Sequence, residues 1–259
     1  MLAAMSATAG AQERGGRSEL DRRSERAVLA ITWQPAFCET RPRVPECRSQ
    51  RPGRADVTQF SLHGLWPQAQ RGRGRGRGRE NYCGVDPRTV RAGRSGWRNL
   101  PRLGLDRDVE RRLAVAMPGV RSYLHRHEWF KHGTCYGPTP DGYFRDALAL
   151  LDEVNASPVR ALFARNIGRR LETAAIRDAF DRAFGPGAGR RVRVQCRRDG
   201  NRQVIVELLL HLQGTIGTKT GQAGRRTNGP TNGLGGLLRA ARPVRADCPG
   251  GIVDAVGLQ

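Results

Sequence analysis

The segments of this chain that read as β-strands lie toward its two ends, and those with helical spacing fill the interval between. Residues 27–33 form an unbroken, partly β-branched apolar run suited to a buried central strand, stopped by Gln34-Pro35. A second strand over 60–67 sends Phe60 and Leu62 to one face and Ser61 and His63 to the other. Toward the far end, 191–196 and 204–212 alternate. In the latter, Val204, Val206, Leu208, Leu210 and Leu212 oppose Ile205, Glu207, Leu209 and His211. This distribution argues for an α+β fold with one mainly antiparallel sheet and against repeated βαβ units.

Among the central segments, 105–117 carries Val109, Leu113 and Ala116 at helical spacing and stops at Pro118, and a further helix spans 120–132. Asp141 is placed to cap a helix whose inner face is Phe144, Leu148 and Leu151, and Ser157-Pro158 is a helix start, followed by the segment through Leu171. Thr173 opens another helix with Ile176, Phe180 and Phe184 inside and Gly185 at its end. The stretch 214–236, rich in Gly, Thr and Asn, reads as a mobile loop, after which Cys248 and the apolar tail 252–258 return to the sheet.

With 259 residues and 38% apolar content the chain supports one sizeable core, which we place in a single domain over 27–259 with flexible insertions at 70–80 and 214–236. A net charge of +21 points to a polyanionic partner, nucleic acid before an anionic membrane surface. No run of eighteen apolar residues provides a transmembrane helix. Between 71 and 79 arginine and glycine alternate strictly, a low-complexity insertion able to grip phosphates but unable to join a core.

Cys38, Cys47, Cys83, Cys135, Cys196 and Cys248 make an even set without a Cys-x-x-Cys pair, which favours disulfides and an oxidising compartment. Eight residues separate Cys38 from Cys47, so these two are placed to staple their own loop. Six cysteines allow fifteen pairings, and spacing alone does not choose among them. Ala9-Gly10-Ala11 reads as a signal-peptidase site behind a mildly apolar stretch, so residues 1–26 are expected to hold a signal-peptide remnant and a polar linker. Export to the periplasm or outside the cell follows from both features.

The chemistry concentrates in residues 127–135, His-Glu-Trp-Phe-Lys-His-Gly-Thr-Cys. At about 100° per residue, His127, Glu128, Lys131 and His132 share one helix face and Trp129 and Phe130 point away into a core, with Gly133 suited to ending the helix. A zinc site of the His-Glu-x-x-His kind is disfavoured, because Lys131 stands where the second ligand belongs. His63, on its strand and followed by Gly64, which permits close approach, is the natural second member of an acid–base pair with His132. Two imidazoles titrating near about 6.5 hold one proton between them at neutral pH. RNA suits such a pair, since its 2′-hydroxyl is an internal nucleophile and no metal or cofactor is called for.

The segments Phe60-Ser-Leu-His63-Gly-Leu-Trp66-Pro67 and His127 to Cys135 resemble the two active-site segments of the ribonuclease T2 family, and Thr32-Trp-Gln-Pro-Ala-Phe-Cys38 resembles its bacterial, ribonuclease I-like branch. The likeness extends over about 27–258 and includes Gly251 to Asp254. It implies metal-free cleavage of single-stranded RNA through a 2′,3′-cyclic phosphate to 3′-phosphate ends by a monomer without an obligate protein partner. It further implies His63 and His132 as the acid–base pair and Glu128 as transition-state stabiliser. His127 and Lys131 become phosphate contacts and Trp66 a stacking surface for a base. Gln68 stands where the family can carry an acidic base reader, so base specificity is expected to be low. The same resemblance implies the pairings Cys83 with Cys135 and Cys196 with Cys248, which leaves Cys38 with Cys47.

Overall fold

The computed structural model describes residues 26–68, 81–217 and 233–257. The expected leader and nearly all of its linker, the Arg-Gly run, and the middle of the loop expected at 214–236 lie outside the described residues.

The strands are β1 (Arg26–Thr32), β2 (Ser61–Pro67), β3 (Arg170–Glu172), β4 (Val192–Asp199), β5 (Arg202–Gln213) and β6 (Gly250–Ile252). The helices are α1 (Gln34–Thr40), α2 (Pro45–Arg48), α3 (Pro87–Ser95), α4 (Arg107–Ala116), α5 (Leu124–Glu128), α6 (Thr134–Tyr136), α7 (Pro140–Asn155), α8 (Pro158–Arg165), α9 (Thr173–Phe184) and α10 (Gly233–Ala240). The α+β class is as the sequence implied. β5 is the hub of the sheet: β1 and β4 flank it antiparallel, β2 adds antiparallel to β1, and β6 meets it in parallel at Val204 while pairing antiparallel with β3. The sheet is therefore mixed, with one short parallel contact.

One face of this sheet carries the main core. Leu29, Ile31, Leu62, Leu65, Leu208 and Leu210 are at most 2% exposed and join Phe144, Leu148, Leu151, Phe163 and Phe180 from the helices. Trp33, Phe60 and Phe163 form a three-ring cluster with centroids 4.7 to 5.6 Å apart, and the Trp33 indole donates to the Asp254 carbonyl at 2.9 Å, tying the two ends of the domain together. Asn155 brackets the start of β2, accepting from Phe60 N and donating to Phe60 O, both at 2.9 Å.

The opposite face is thinner, with Val28, Ala30 and Leu209 packed under Trp66. Two β-bulges shape it. Ile31 pairs with Leu62 and Ala30 with Gly64, so His63 is the extra residue of β2; Gln195 pairs with Glu207 and Cys196 with Ile205, so Val206 is the extra residue of β5. Such bulges redirect side chains. Phe60 and Leu62 face the core and His63 turns away, as expected for 60–67, and past the bulge the next core position is Leu65.

Other local expectations change for identifiable reasons. Asp141 caps nothing: Thr139 is the N-cap of α7, accepting from Gly142 N, while Asp141 accepts from the backbone of Asp106. The helix expected over 120–132 is three pieces. Pro118–Ser122 is a 3-10 turn, Tyr123 takes a left-handed conformation at φ 64°, and α5 gives way to a π-turn over Trp129–Gly133. Gly133 does not end the helix but continues it into α6; its missing Cβ makes room for the Trp129 ring, which a side chain there would overlap. Within the loop expected at 214–236, Ile216 is buried and residues from 233 onward form α10, because Leu234, Leu237 and Leu238 repeat at i, i+3, i+4 and fill the core. In the tail, β6 spans only Gly250–Ile252, and beyond it Val253 makes an isolated bridge to Ile167.

Candidate active site

The bulge in β2 turns His63 out of the core, leaving 35% of its side chain exposed, and brings it beside two carboxylates. Its Nδ1 lies 2.5 Å from Glu207 Oε1 and its Nε2 lies 3.8 Å from Glu128 Oε1. Glu128 closes α5 and is buried, its Oε2 accepting from the Trp66 indole at 2.8 Å. It approaches β2 so closely that Gly64 has no room for a side chain: a Cβ there would overlap Glu128 Oε2 and crowd the Trp66 indole nitrogen. The close approach anticipated at Gly64 is thus made by Glu128. We expect Gly64→Ala to cost about 1–3 kcal/mol and to push Glu128 off Trp66. A lowered Tm with altered tryptophan fluorescence is the check, and a variant matching the parent in both would contradict this packing.

His132 sits one π-turn further on, 8% exposed, with its ring tilted against Trp66 at 5.6 Å between centroids. The His63 ring meets the same indole edge-on at 5.2 Å. Trp66 therefore touches both histidines, and its indole N–H holds the Glu128 carboxylate beside His63. His127 is held differently, stacked on Trp97 at 4.6 Å and 21°. Lys131 is half-buried, close enough for its charge to act on His63, His127 and His132. Its carbonyl accepts from Tyr82 N at 2.8 Å. Of the aromatic back expected for this helix, Trp129 packs on the core beside Tyr143, but Phe130 is only half-buried.

These surroundings drive the histidines apart. Desolvation alone would lower the pKa of His63, but its hydrogen bond to Glu207 and the charges of Glu128 and Glu207 outweigh this and raise it to about 8. For His132, desolvation and then the Lys131, His127 and His63 charges all act downward, to about 3. His127 is lowered to about 4 by desolvation, Lys131 and His63. Burial raises the Glu128 carboxyl above its usual range, against the opposing pull of His63 and the Trp66 hydrogen bond.

A cavity of about 440 Å³ opens beside His63 and Glu207, lined also by Thr32, Trp97, Arg197 and Arg198. That volume suits a nucleotide-sized ligand. The segment carrying His127, Glu128, Lys131 and His132 is thereby brought onto β2. The side chains that sequence reasoning missed are Trp97 and Glu207. Glu207 had left a signal, as the one carboxylate in the apolar run 204–212; Trp97 left none.

Three disulfides are present, Cys38–Cys47, Cys83–Cys135 and Cys196–Cys248, the pairing implied by the resemblance. Cys135 follows His132 by three residues in α6, so its bond fastens the end of the histidine-bearing segment to the chain that follows β2.

The chain is similar to known ribonucleases in sequence and in overall fold. Ribonuclease I of Escherichia coli (strain K12) is 30% identical over 203 residues, covering 73% of this chain and 75% of that protein. Ribonuclease 1 of Arabidopsis thaliana is 25% identical over 178 residues, 65% of this chain and 66% of that one. In fold, the crystal structure of trichomaglin, described as an S-like ribonuclease, superposes with a TM-score of 0.54 at 17% identity, over 90% of this chain and 98% of its own. The sequence profile of the ribonuclease T2 family matches residues 25–220, and with the relatives this establishes that the chain belongs to the ribonuclease T2 family.

Proposed function

We propose that this T2-family endoribonuclease cleaves single-stranded RNA by metal-free transesterification, with His132 as base and His63 as acid in the first step. The observation that carries the assignment is the contrast in surroundings of the two rings that touch Trp66: His63 lies against two carboxylates, which raise it to about 8, and His132 is buried beside Lys131, which with desolvation lowers it to about 3. Near neutrality His132 is neutral and accepts the 2′-hydroxyl proton as that oxygen attacks phosphorus; His63 is protonated and gives its proton to the departing 5′-oxygen. The 2′,3′-cyclic phosphate is then opened by water with the roles exchanged, leaving a 3′-phosphate. Each proton transfer is worth about 10²- to 10⁴-fold.

The neighbours supply the electrostatics. Lys131 and His127 contact the phosphate, and Glu128, fixed by its bond from the Trp66 indole, aids the transition state by holding the His63 imidazolium beside it. Trp66 is half-buried, so the exposed part of its indole is the surface on which a base stacks. Gln68 donates its amide N–H to the carbonyls of Trp66 and Pro67, an arrangement that supports low base specificity. The charge of +21 favours a polyanionic substrate, and three disulfides support a periplasmic or secreted location. Among the described residues no helix is long and apolar enough to cross a membrane. We assign the enzyme as a monomer that needs no protein partner.

RNA cleavage in the presence of EDTA, with product ends identified, tests the mechanism. Undiminished cleavage to 2′,3′-cyclic phosphate ends is expected, whereas loss of activity with EDTA would point to metal-dependent hydrolysis. The pH profile is a second check. Because the folded pKa of His63 is raised, its acid form persists to about 8, and kcat/KM should fall above that. Because that of His132 is lowered, its base form survives well below about 6.5 and the acid limb should lie correspondingly low. Both limbs meeting near 6.5 would contradict the assignment.

A further inference from the structure

We propose that Glu207 is the positioning residue for His63, its carboxylate holding the Nδ1–H so that Nε2 carries the working proton toward Glu128 and the leaving oxygen. The proposal rests on the acid role given to His63 above. Three observations lead to it. The hydrogen bond is short, 2.5 Å, and it occupies the ring nitrogen that faces away from Glu128. A carboxylate bonded to one nitrogen fixes the tautomer and orientation of the other.

The backbone is also shaped for this contact. β1 lies between β2 and β5, with Thr32 paired to Ser61 on one side and to Glu207 on the other. The bulge of β2 is His63 itself, and the bulge of β5 is Val206, the residue before Glu207. Two independent departures from regular pairing thus bring together residues that lie 144 positions apart in the chain.

Placing Glu207 here also has a cost. Its side chain is 12% exposed on a strand otherwise built of Val, Ile and Leu over 204–210, and among the described residues its one ion pair is with His63. A largely desolvated carboxylate whose one ion pair among the described residues is with His63 is unfavourable for folding unless the imidazolium is its partner.

The charges facing His63 come from every element around it. Glu207 lies on β5, Glu128 on α5, and Lys131 and His132 on the π-turn, with His127 beside them. Glu46, Arg41, Arg197 and Arg198 line the same cavity. The two carboxylates favour the imidazolium and Lys131 opposes it, so removing Glu207 removes one of the two groups that keep the proton on.

The test is Glu207→Gln, which keeps size and hydrogen-bonding capacity but not charge, with Glu207→Asp as the conservative variant. For a dinucleotide substrate, Glu207→Gln should move the basic limb of kcat/KM to lower pH and reduce kcat at pH 8 by at least about tenfold, with KM little changed. The loss should shrink for a nucleoside 3′-(4-nitrophenyl phosphate), whose leaving group needs no acid, and Glu207→Asp should restore part of the limb. An unshifted limb, or equal losses with both leaving groups, would overturn the positioning role. NMR titration of the His63 ring nitrogens decides the same point without turnover: a pKa that stays near that of the parent in Glu207→Gln refutes the contact's role. A parent protein that fails to cleave RNA would instead refute the function proposed above.

Discussion

His132→Ala and His63→Ala are each expected to lower kcat/KM for RNA by about 10²- to 10⁴-fold, the value of one proton-transfer group. The two losses should not add in the double variant, because base and acid act in one concerted step. Their structural side effects should differ. His132 is 8% exposed and packed on Trp66, so truncation leaves a void and should lower Tm as well as activity. His63 is 35% exposed, so little packing is lost, but its removal leaves Glu128 and Glu207 facing the site without their shared cation. Circular dichroism and initial rates on the same preparations separate chemistry from folding. Rates within a few-fold of the parent in either folded variant would remove that histidine from the mechanism.

Local residue pattern made much of the site legible. His63 with Gly64, and Glu128 with His132, each lie within one short stretch that residue type and spacing single out, whereas Trp66 came only with the family resemblance. The contact between His63 and Glu207 was not legible, since it depends on two bulges that no side-chain periodicity announces. The π-turn at Trp129–Gly133 was hidden for a related reason: an α-helical projection of 127–132 looks plausible and says nothing about the wider turn. Among the fold elements, the long strands β1 and β5 were readable from their apolar patterns. The three-residue β3 and β6 are too short to show any period, and pairing with each other and with β5 makes them strands. At α7 the local rule worked with the wrong residue: Thr139 before Pro140 is as good a cap signal as Asp141, and the long-range demand of Asp106 N claims the carboxylate.

Removing the Cys83–Cys135 bond should have a large effect of another kind, because it closes a loop of 52 residues that joins β2 to the histidine-bearing segment. Loop entropy alone assigns it about 4 kcal/mol, against roughly 2.6 kcal/mol for Cys38–Cys47, whose separation is 9. The bond Cys196–Cys248 has the same separation of 52 and thus a similar entropic weight, but it joins β4 to the chain before β6 and makes no tie to the histidine-bearing segment. The two long disulfides therefore make a controlled comparison. Replacing both cysteines by serine in either pair should lower stability by a similar amount. Only loss of Cys83–Cys135 cuts the covalent tie three residues beyond His132, leaving the bond from Tyr82 N to the Lys131 carbonyl to join the two segments while buried Tyr136, bonded to Asp146, keeps α6 on the core. Activity per folded molecule, measured well below both melting temperatures, should fall further in the Cys83/Cys135 double variant than in the Cys196/Cys248 one, where position 196 lies among the β4 residues lining the cavity. Equal activity per folded molecule in the two would mean that the histidines keep their spacing through the sheet and Trp66 alone, and that the disulfide beside them contributes to stability without tuning the site.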